Sequence, residues 1–382
     1  RPPPAARRPR PRSLPPLLTC ESEANAGAVT QPARVSRRAG GGDTSSLPAP
    51  PPSAHPSPLA GWRRSIFKEF FFSFANKLFV LLITLGPGIL TQALLKSKAK
   101  VIALESNRNF LPHLQSLRKK VDGELEVIYC DFFKMDPRNF GIVKPPIMIS
   151  ETLFQHLGIA AVPWSEDIPL RVVGIFPAKN EKKILWKLLY DLYSSTSVYS
   201  YGRVQLNMFI TEREYEKLVA SPETPHLYQV LSVLWQVACK IKLLHVEPRS
   251  SFGVYGQSGQ LDDPKNKKPL EQVNKQVGQN MCLIQLTPHQ NLFTENLTSI
   301  NYDVFFLMLK QCFMKRNFKL MDHLQLLSPV NAAAILKQIG KDGDTKITDL
   351  YPQDFKQLFE AIEYFRESCR WLLDDCVEEM IM

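Results

Sequence analysis

The chain predicts an α/β fold followed by an all-helical carboxyl-terminal region, and three observations carry that reading. Apolar runs of strand length recur between Phe79 and Leu286, separated by stretches of helical periodicity. The first run, Phe79–Ile83, passes through Gly86-Pro87-Gly88 into the helix-like Thr91–Leu95, and a second run, from Lys100 to Leu104, ends on Glu105. From about Asn296 onward the strand pattern stops and only helical spacing remains.

The glycine turn comes first. Gly86 and Gly88 let backbone approach a ligand closely, and a carboxylate at the end of the next strand is placed to grip a ribose diol, so Gly86, Gly88 and Glu105 are candidate nucleotide-type contacts. The third run, Leu125–Cys130, ends in Asp131. Ligands of open α/β sheets bind outside the carboxyl ends of the strands, which puts Glu105 and Asp131 on one crevice. Two acids there suit a neutral or cationic nucleoside better than a phosphorylated one.

Residues 137–167 read as a loop broken by Pro145-Pro146 and Pro163. Leu170–Phe176 is a fourth strand closed by Pro177. In Glu181–Ser194, the residues Ile184, Leu185, Leu188, Leu189 and Leu192 make one apolar helical stripe. Arg203–Ile210 follows as a strand, then helices at Glu212–Ala220 and His226–Gln236. Strands at Ala238–Val246 and Met281–Leu286 flank a polar, Lys-containing loop over 249–280. Helices at Tyr302–Phe313, Lys319–Leu327, Asn331–Ile339 and Phe355–Cys376 complete the chain, with Pro329 and Pro352 as breaks. The expected division is a disordered basic tail over 1–64, an α/β domain over 65–290 and a helical domain over 291–382.

Composition bounds the partners. The net charge is +10, but residues 1–64 carry ten Arg against three acids, and the remainder carries 37 basic and 34 acidic residues. A nucleic-acid surface in the folded part must therefore be local. Lys315-Arg316 falls between two apolar helices, which predicts exposure. Lys179 and Lys183, with Lys182 and Lys187, crowd the mouth of the sheet. Arg118-Lys119-Lys120 and Lys265-Lys267-Lys268 are further basic runs, each an ordinary solvated face by itself. Seven cysteines without a Cys-x-x-Cys spacing exclude a zinc motif and read as reduced core thiols. The apolar run Ile66–Leu85 approaches membrane-spanning length. Lys68, Glu69 and Lys77 interrupt it, each charge costing roughly 2.5–3.5 kcal/mol near a helix centre, so no membrane span is expected.

The series Gly86-Pro-Gly-Ile-Leu-Thr91, Val101-Ile-Ala-Leu-Glu105 and Cys130-Asp-Phe-Phe-Lys134 resembles the S-adenosylmethionine site of the rRNA adenine dimethyltransferase family. Within that family the chain is most similar to the mitochondrial transcription factor B branch, and there to the paralogue specialised for transcription initiation. The likeness runs from about Leu85 to the end and includes Val162-Pro-Trp164, Gln290-Asn-Leu-Phe-Thr294, Tyr351-Pro-Gln-Asp-Phe355 and Ala361-Ile-Glu363. It implies a doubly wound, seven-stranded Rossmann-like methyltransferase sheet with a small helical domain. It also implies S-adenosylmethionine as cofactor, held by Gly86, Gly88, Glu105 and Asp131.

The catalytic motif departs from that family. Active members carry Asn/Asp-x-Pro-Tyr/Phe after the fourth strand, to polarise the adenine amine and stack the flipped base. Here the place reads Ile175-Phe176-Pro177-Ala178. Ile175 has no acceptor atom and Ala178 no ring, which leaves Phe176 as the one side chain for stacking. Losing a catalytic hydrogen bond of this kind costs roughly 10²–10³ in rate. Leu82 stands where the family has an acid on the first strand, so the cofactor site is expected to be partly vestigial. The resemblance then implies a transcription initiation factor of the mitochondrial matrix nucleoid. Its partners would be mitochondrial RNA polymerase, a mitochondrial HMG-box transcription factor and promoter DNA, with Lys315, Arg316, Lys179 and Lys183 as nucleic-acid contacts. The alternative is an rRNA adenine N6,N6-dimethyltransferase acting on small-subunit rRNA. The helical region disfavours a small-molecule methyltransferase.

Overall fold

The computed structural model describes residues 79–249, Phe252 and 280–381, except 84–85, 87–88, 97, 122, 138–142 and 178, and it describes side chains as far as Arg366 apart from 89 and 93. The expected tail over 1–64, most of the 249–280 loop and Cys369 and Cys376 lie outside these limits.

Seven strands form one sheet: β1 (Phe79–Ile83), β2 (Lys100–Glu105), β3 (Leu125–Tyr129), β4 (Leu170–Ile175), β5 (Gln205–Thr211), β6 (Cys239–Pro248) and β7 (Asn280–Pro288). Their order is β3-β2-β1-β4-β5-β7-β6. β1 to β5 run parallel, and β7 inserts antiparallel between β5 and β6. The order in which strands are added reverses between β1 and β4, which opens the crevice where such sheets bind ligands. The sheet is mixed because β6 and β7 are joined as a hairpin, and β6 carries a bulge between Leu243 and His245.

Ten helices cover the sheet among the described residues: α1 (Ile89–Leu95), α2 (Leu111–Arg118), α3 (Ser150–His156), α4 (Glu181–Tyr193), α5 (Glu212–Leu218), α6 (Val230–Ala238), α7 (Tyr302–Met314), α8 (Leu320–Leu327), α9 (Ala332–Ile339) and α10 (Pro352–Ile381). The stretch expected as loop over 137–167 contains α3. Its seven residues are too few to show a period, yet Leu153 and Phe154 are fully buried. α10 begins on Pro352, whose missing N–H is harmless in a first turn. It runs 30 residues, further than its spacing suggests.

The two sheet faces bury different clusters, as strand alternation requires. On one face, Val80, Leu82, Val101 and Ala103 pack beneath α1 and α2. On the other, Leu81, Ile83, Leu170, Val172 and Phe176 join a core that continues through α4 and α6 into Phe305, Leu309, Phe355 and Phe359 of the terminal helices. The carboxyl-terminal helices therefore share the core of the sheet. Tyr228 Oη donates to Leu350 O at 2.8 Å across that junction. Trp164 Nε1 donates to His289 O at 3.1 Å, and Lys356 Nζ donates to Asn291 O at 2.7 Å. Among the described residues, no helix is long and apolar enough to cross a membrane.

Candidate cofactor crevice and nucleic-acid surface

The crevice is built at the carboxyl ends of β1, β2 and β3. Gly86 takes φ +68°, a left-handed backbone that glycine adopts without penalty, and so turns the chain sharply from β1 toward α1. Gly88 lies outside the described residues. Glu105, at the end of β2, is 4% exposed. Its Oε1 accepts from the Asn107 N–H at 2.7 Å, and the Ser106 and Gly86 N–H groups also donate to the carboxylate. Burial raises its pKa above the ordinary carboxylate value, the three N–H donors pull it down, and neighbouring Asp131 pushes it up again. Asp131 follows the end of β3, next to β2 in the sheet, and is near enough for its charge to act on Glu105. Asp131 pairs with Lys134 Nζ at 2.9 Å.

This arrangement fits an adenosyl donor. Glu105 ties the end of β2 to the glycine turn, and a carboxylate with about four acceptor directions retains one for a ribose hydroxyl beyond its three N–H partners. When bound, the donor supplies a methyl group on a cationic sulfur. Leu82 is 2% exposed and packs in the α1 side of the core, where an acid would be buried without a partner.

The remnant of the catalytic motif corrects one expectation. Phe176 is 1% exposed and stacks on Phe133, ring centroids 5.6 Å apart, so it is unavailable to a flipped base. Alternation explains this: Phe176 continues the inward register of Leu170 and Val172. Ile175 turns to the other face and joins the apolar cluster of Phe209, Met281, Leu283 and Phe252, and its own side chain carries no hydrogen-bond acceptor for an amine. Pro177 is exposed, and Ala178 lies outside the described residues. Gly174 is required by close packing, because a Cβ there would fall 2.2 Å from Ile83 Cγ1.

Just beyond the motif, Glu181 is 4% exposed. It accepts from Thr211 N at 2.9 Å and from Thr211 Oγ1 at 2.6 Å. The bonds fasten the amino end of α4 to the end of β5. Lys179, Lys182 and Lys183 are exposed there. α4 lies against α7 through an aromatic seam: Trp186 to Phe306 at 6.3 Å, Tyr190 to Phe306 at 5.1 Å and Tyr190 to Tyr302 at 6.5 Å. Numbers rise along α4 as they fall along α7, so the helices are antiparallel. The amino end of α4 therefore meets the carboxyl end of α7, both on the crevice side of the sheet. This brings Lys179 and Lys183 onto the same side as Lys315.

Lys315 is exposed, its Nζ 4.8 Å from the Phe318 ring centroid. Arg316 differs from the expected exposed pair. It is half-buried and donates to Pro225 O and, at 3.0 Å, to Tyr228 O, while lying over Phe313. Its planar fork ties α7 to the segment before α6. Sequence reasoning missed Lys310, exposed and 5.9 Å from the Trp186 ring. The signal was its place one helical step beyond Tyr302 and Phe306, on the stripe facing α4.

Other features carry no chemistry. The described cysteines 130, 239, 282 and 312 are free and buried, and burial pushes the Cys130 thiol up to about 12. Among the described residues, no group of three or more His, Cys, Asp or Glu is placed to hold a metal. An open groove of about 430 Å³, lined by Phe79, Lys100, Arg118 and His156, lies at the amino ends of the strands, away from the crevice.

The sequence pattern described as "Ribosomal RNA adenine dimethylase" matches residues 65–364. The chain belongs to the ribosomal RNA adenine dimethylase family. Among its relatives, human mitochondrial dimethyladenosine transferase 2 is 56% identical over 295 residues, 77% of this chain and 74% of the relative. The Bos taurus protein of the same name is 57% identical over 297 residues, 78% and 74% respectively. Human mitochondrial dimethyladenosine transferase 1 is 25% identical over 202 residues, 50% of this chain and 54% of the relative. Among solved structures, a dimethyladenosine transferase from Plasmodium falciparum aligns at 16% identity and TM-score 0.48, covering 77% of this chain and 93% of the other.

Proposed function

We propose that this dimethylase-family chain is a mitochondrial transcription initiation factor that helps mitochondrial RNA polymerase melt promoter DNA in the matrix nucleoid. One observation carries the reading: Ile175 and the buried Phe176 remove the acceptor and the stacking ring, while the crevice and a lysine-bearing rim remain. Lys179, Lys183, Lys310 and Lys315 contact phosphates. Arg316 positions Lys315 by anchoring the end of α7. Gly86, Gly88, Glu105 and Asp131 hold S-adenosylmethionine. The 65–290 segment supplies the crevice, and 291–382 supplies the facing wall of the nucleic-acid surface. A mitochondrial HMG-box factor completes the promoter complex.

Run-off transcription with mitochondrial RNA polymerase, the HMG-box factor and promoter DNA tests this. Stimulation by the chain is expected, and a reaction indifferent to it refutes the reading. The second reading, adenine N6,N6-dimethylation of small-subunit rRNA, is favoured by the Glu105–Gly86 arrangement. It predicts transfer of labelled methyl from S-adenosylmethionine to an rRNA hairpin, which the initiation-factor reading puts at or near background.

A further inference from the structure

The turn between α7 and α8 presents an aromatic ring to solvent. Phe318 is 42% exposed, and Tyr351 and Tyr364 are the other exposed Phe, Tyr or Trp rings among the described residues. Its backbone is fixed from both sides: Phe318 N donates to Lys315 O at 3.0 Å, and Ile347 N donates to Phe318 O at 3.4 Å. Against it lies the buried His323, with ring centroids 5.8 Å apart. His323 Nε2 donates to Lys315 O at 3.1 Å, so one imidazole supports both the ring and the lysine. Cations gather here. Lys315 Nζ stands 4.8 Å from the Phe318 ring centroid, and Lys319 and Lys346, bridged through their backbones, are exposed. Lys319 pairs with Asp344 at 2.8 Å, but residues 315–319 themselves contain no acid. A ring set among lysines suits a nucleic-acid base, which stacks on the ring while its phosphates meet the ammonium groups. In a duplex both faces of a base are covered by its neighbours, so an unpaired base is the one that fits.

We propose that Phe318 stacks an unpaired base and makes this surface prefer single-stranded over duplex nucleic acid. Lys315 leaves the ring for the adjoining phosphate as the base takes its place. The proposal rests on the nucleic-acid surface of the transcription reading and gives that surface a means of holding a melted strand.

The test measures the affinity of the full chain for a labelled oligothymidine and for a duplex of equal length, with the parent, Phe318→Ala and Phe318→Trp. Phe318→Ala is expected to weaken single-strand binding by about fivefold or more, the lower end of what one stacked base contributes. Its duplex affinity, its salt slope and its melting temperature are expected to match the parent's, because no charge is lost and the ring is exposed. Phe318→Trp is expected to keep single-strand affinity, with its added indole emission quenched by oligothymidine. A Phe318→Ala variant that binds oligothymidine as tightly as the parent overturns the stacking role and leaves the transcription reading standing. Equal losses on single strand and duplex overturn the preference in the same way. Indole emission at 318 unmoved by saturating oligothymidine overturns the proposal even where Phe318→Ala fails to fold. A parent that binds neither ligand overturns the nucleic-acid surface itself, and the transcription reading with it.

Discussion

At Glu105 a carboxylate is held inside the fold by three backbone N–H groups instead of a cation. If it also grips the ribose, Glu105→Ala weakens S-adenosylmethionine by roughly 1.5–3 kcal/mol, the value of a hydrogen bond to a charged group. Calorimetry reads this directly, and equal heats for parent and variant remove Glu105 from the site. Lys315 and Arg316 separate by the same residue-level logic. Lys315→Ala is expected to spare stability and to reduce the salt slope of log K for DNA by about 0.7–0.9 for one lost phosphate contact. Arg316→Ala is expected to lower the unfolding free energy by about 1–3 kcal/mol, because two carbonyls lose a charged donor. Urea unfolding alongside DNA titrations distinguishes the pair, and a stable Arg316 variant sinks its anchoring role.

At the scale of elements, β1 and β4 approach so closely that only glycine fits at 174. Gly174→Ala brings its Cβ 2.8 Å from Ile83 O as well, and the strands must part or shift register. An overpacking cost of about 1–3 kcal/mol or more is expected, read as a lower denaturation midpoint. The Glu181–Thr211 latch joins two elements and responds to pH. Burial raises the Glu181 pKa above 4.5, while the bonds from Thr211 pull it down. Between those values the native chain holds a proton that the unfolded chain has released, so this group's share of stability falls as pH rises through the window. Glu181→Gln removes that dependence. The parent's melting temperature, relative to the variant's, is expected to drop from pH 4.5 toward neutrality. A constant difference across the range refutes a raised native pKa.

For the whole molecule, one core spans the sheet and the terminal helices, so the crevice and the lysine rim are parts of one packed body. Much of this was legible beforehand. Apolar runs bounded by turn residues located all seven strands, because alternation is a local consequence of sequence. The missing acceptor at Ile175 is a matter of residue identity, visible without coordinates. The tertiary structure decided what depends on distant segments meeting. Strand order, the insertion of β7 between β5 and β6, and the seven-residue α3 required partners far along the chain. So did the burial of Phe176 against Phe133, the capture of Arg316 by Pro225 and Tyr228, and the antiparallel seam that sets Lys310 beside Trp186. Periodicity assigns a side chain to a face, but only packing determines which neighbour covers that face, and therefore whether a ring or a charge remains free to bind.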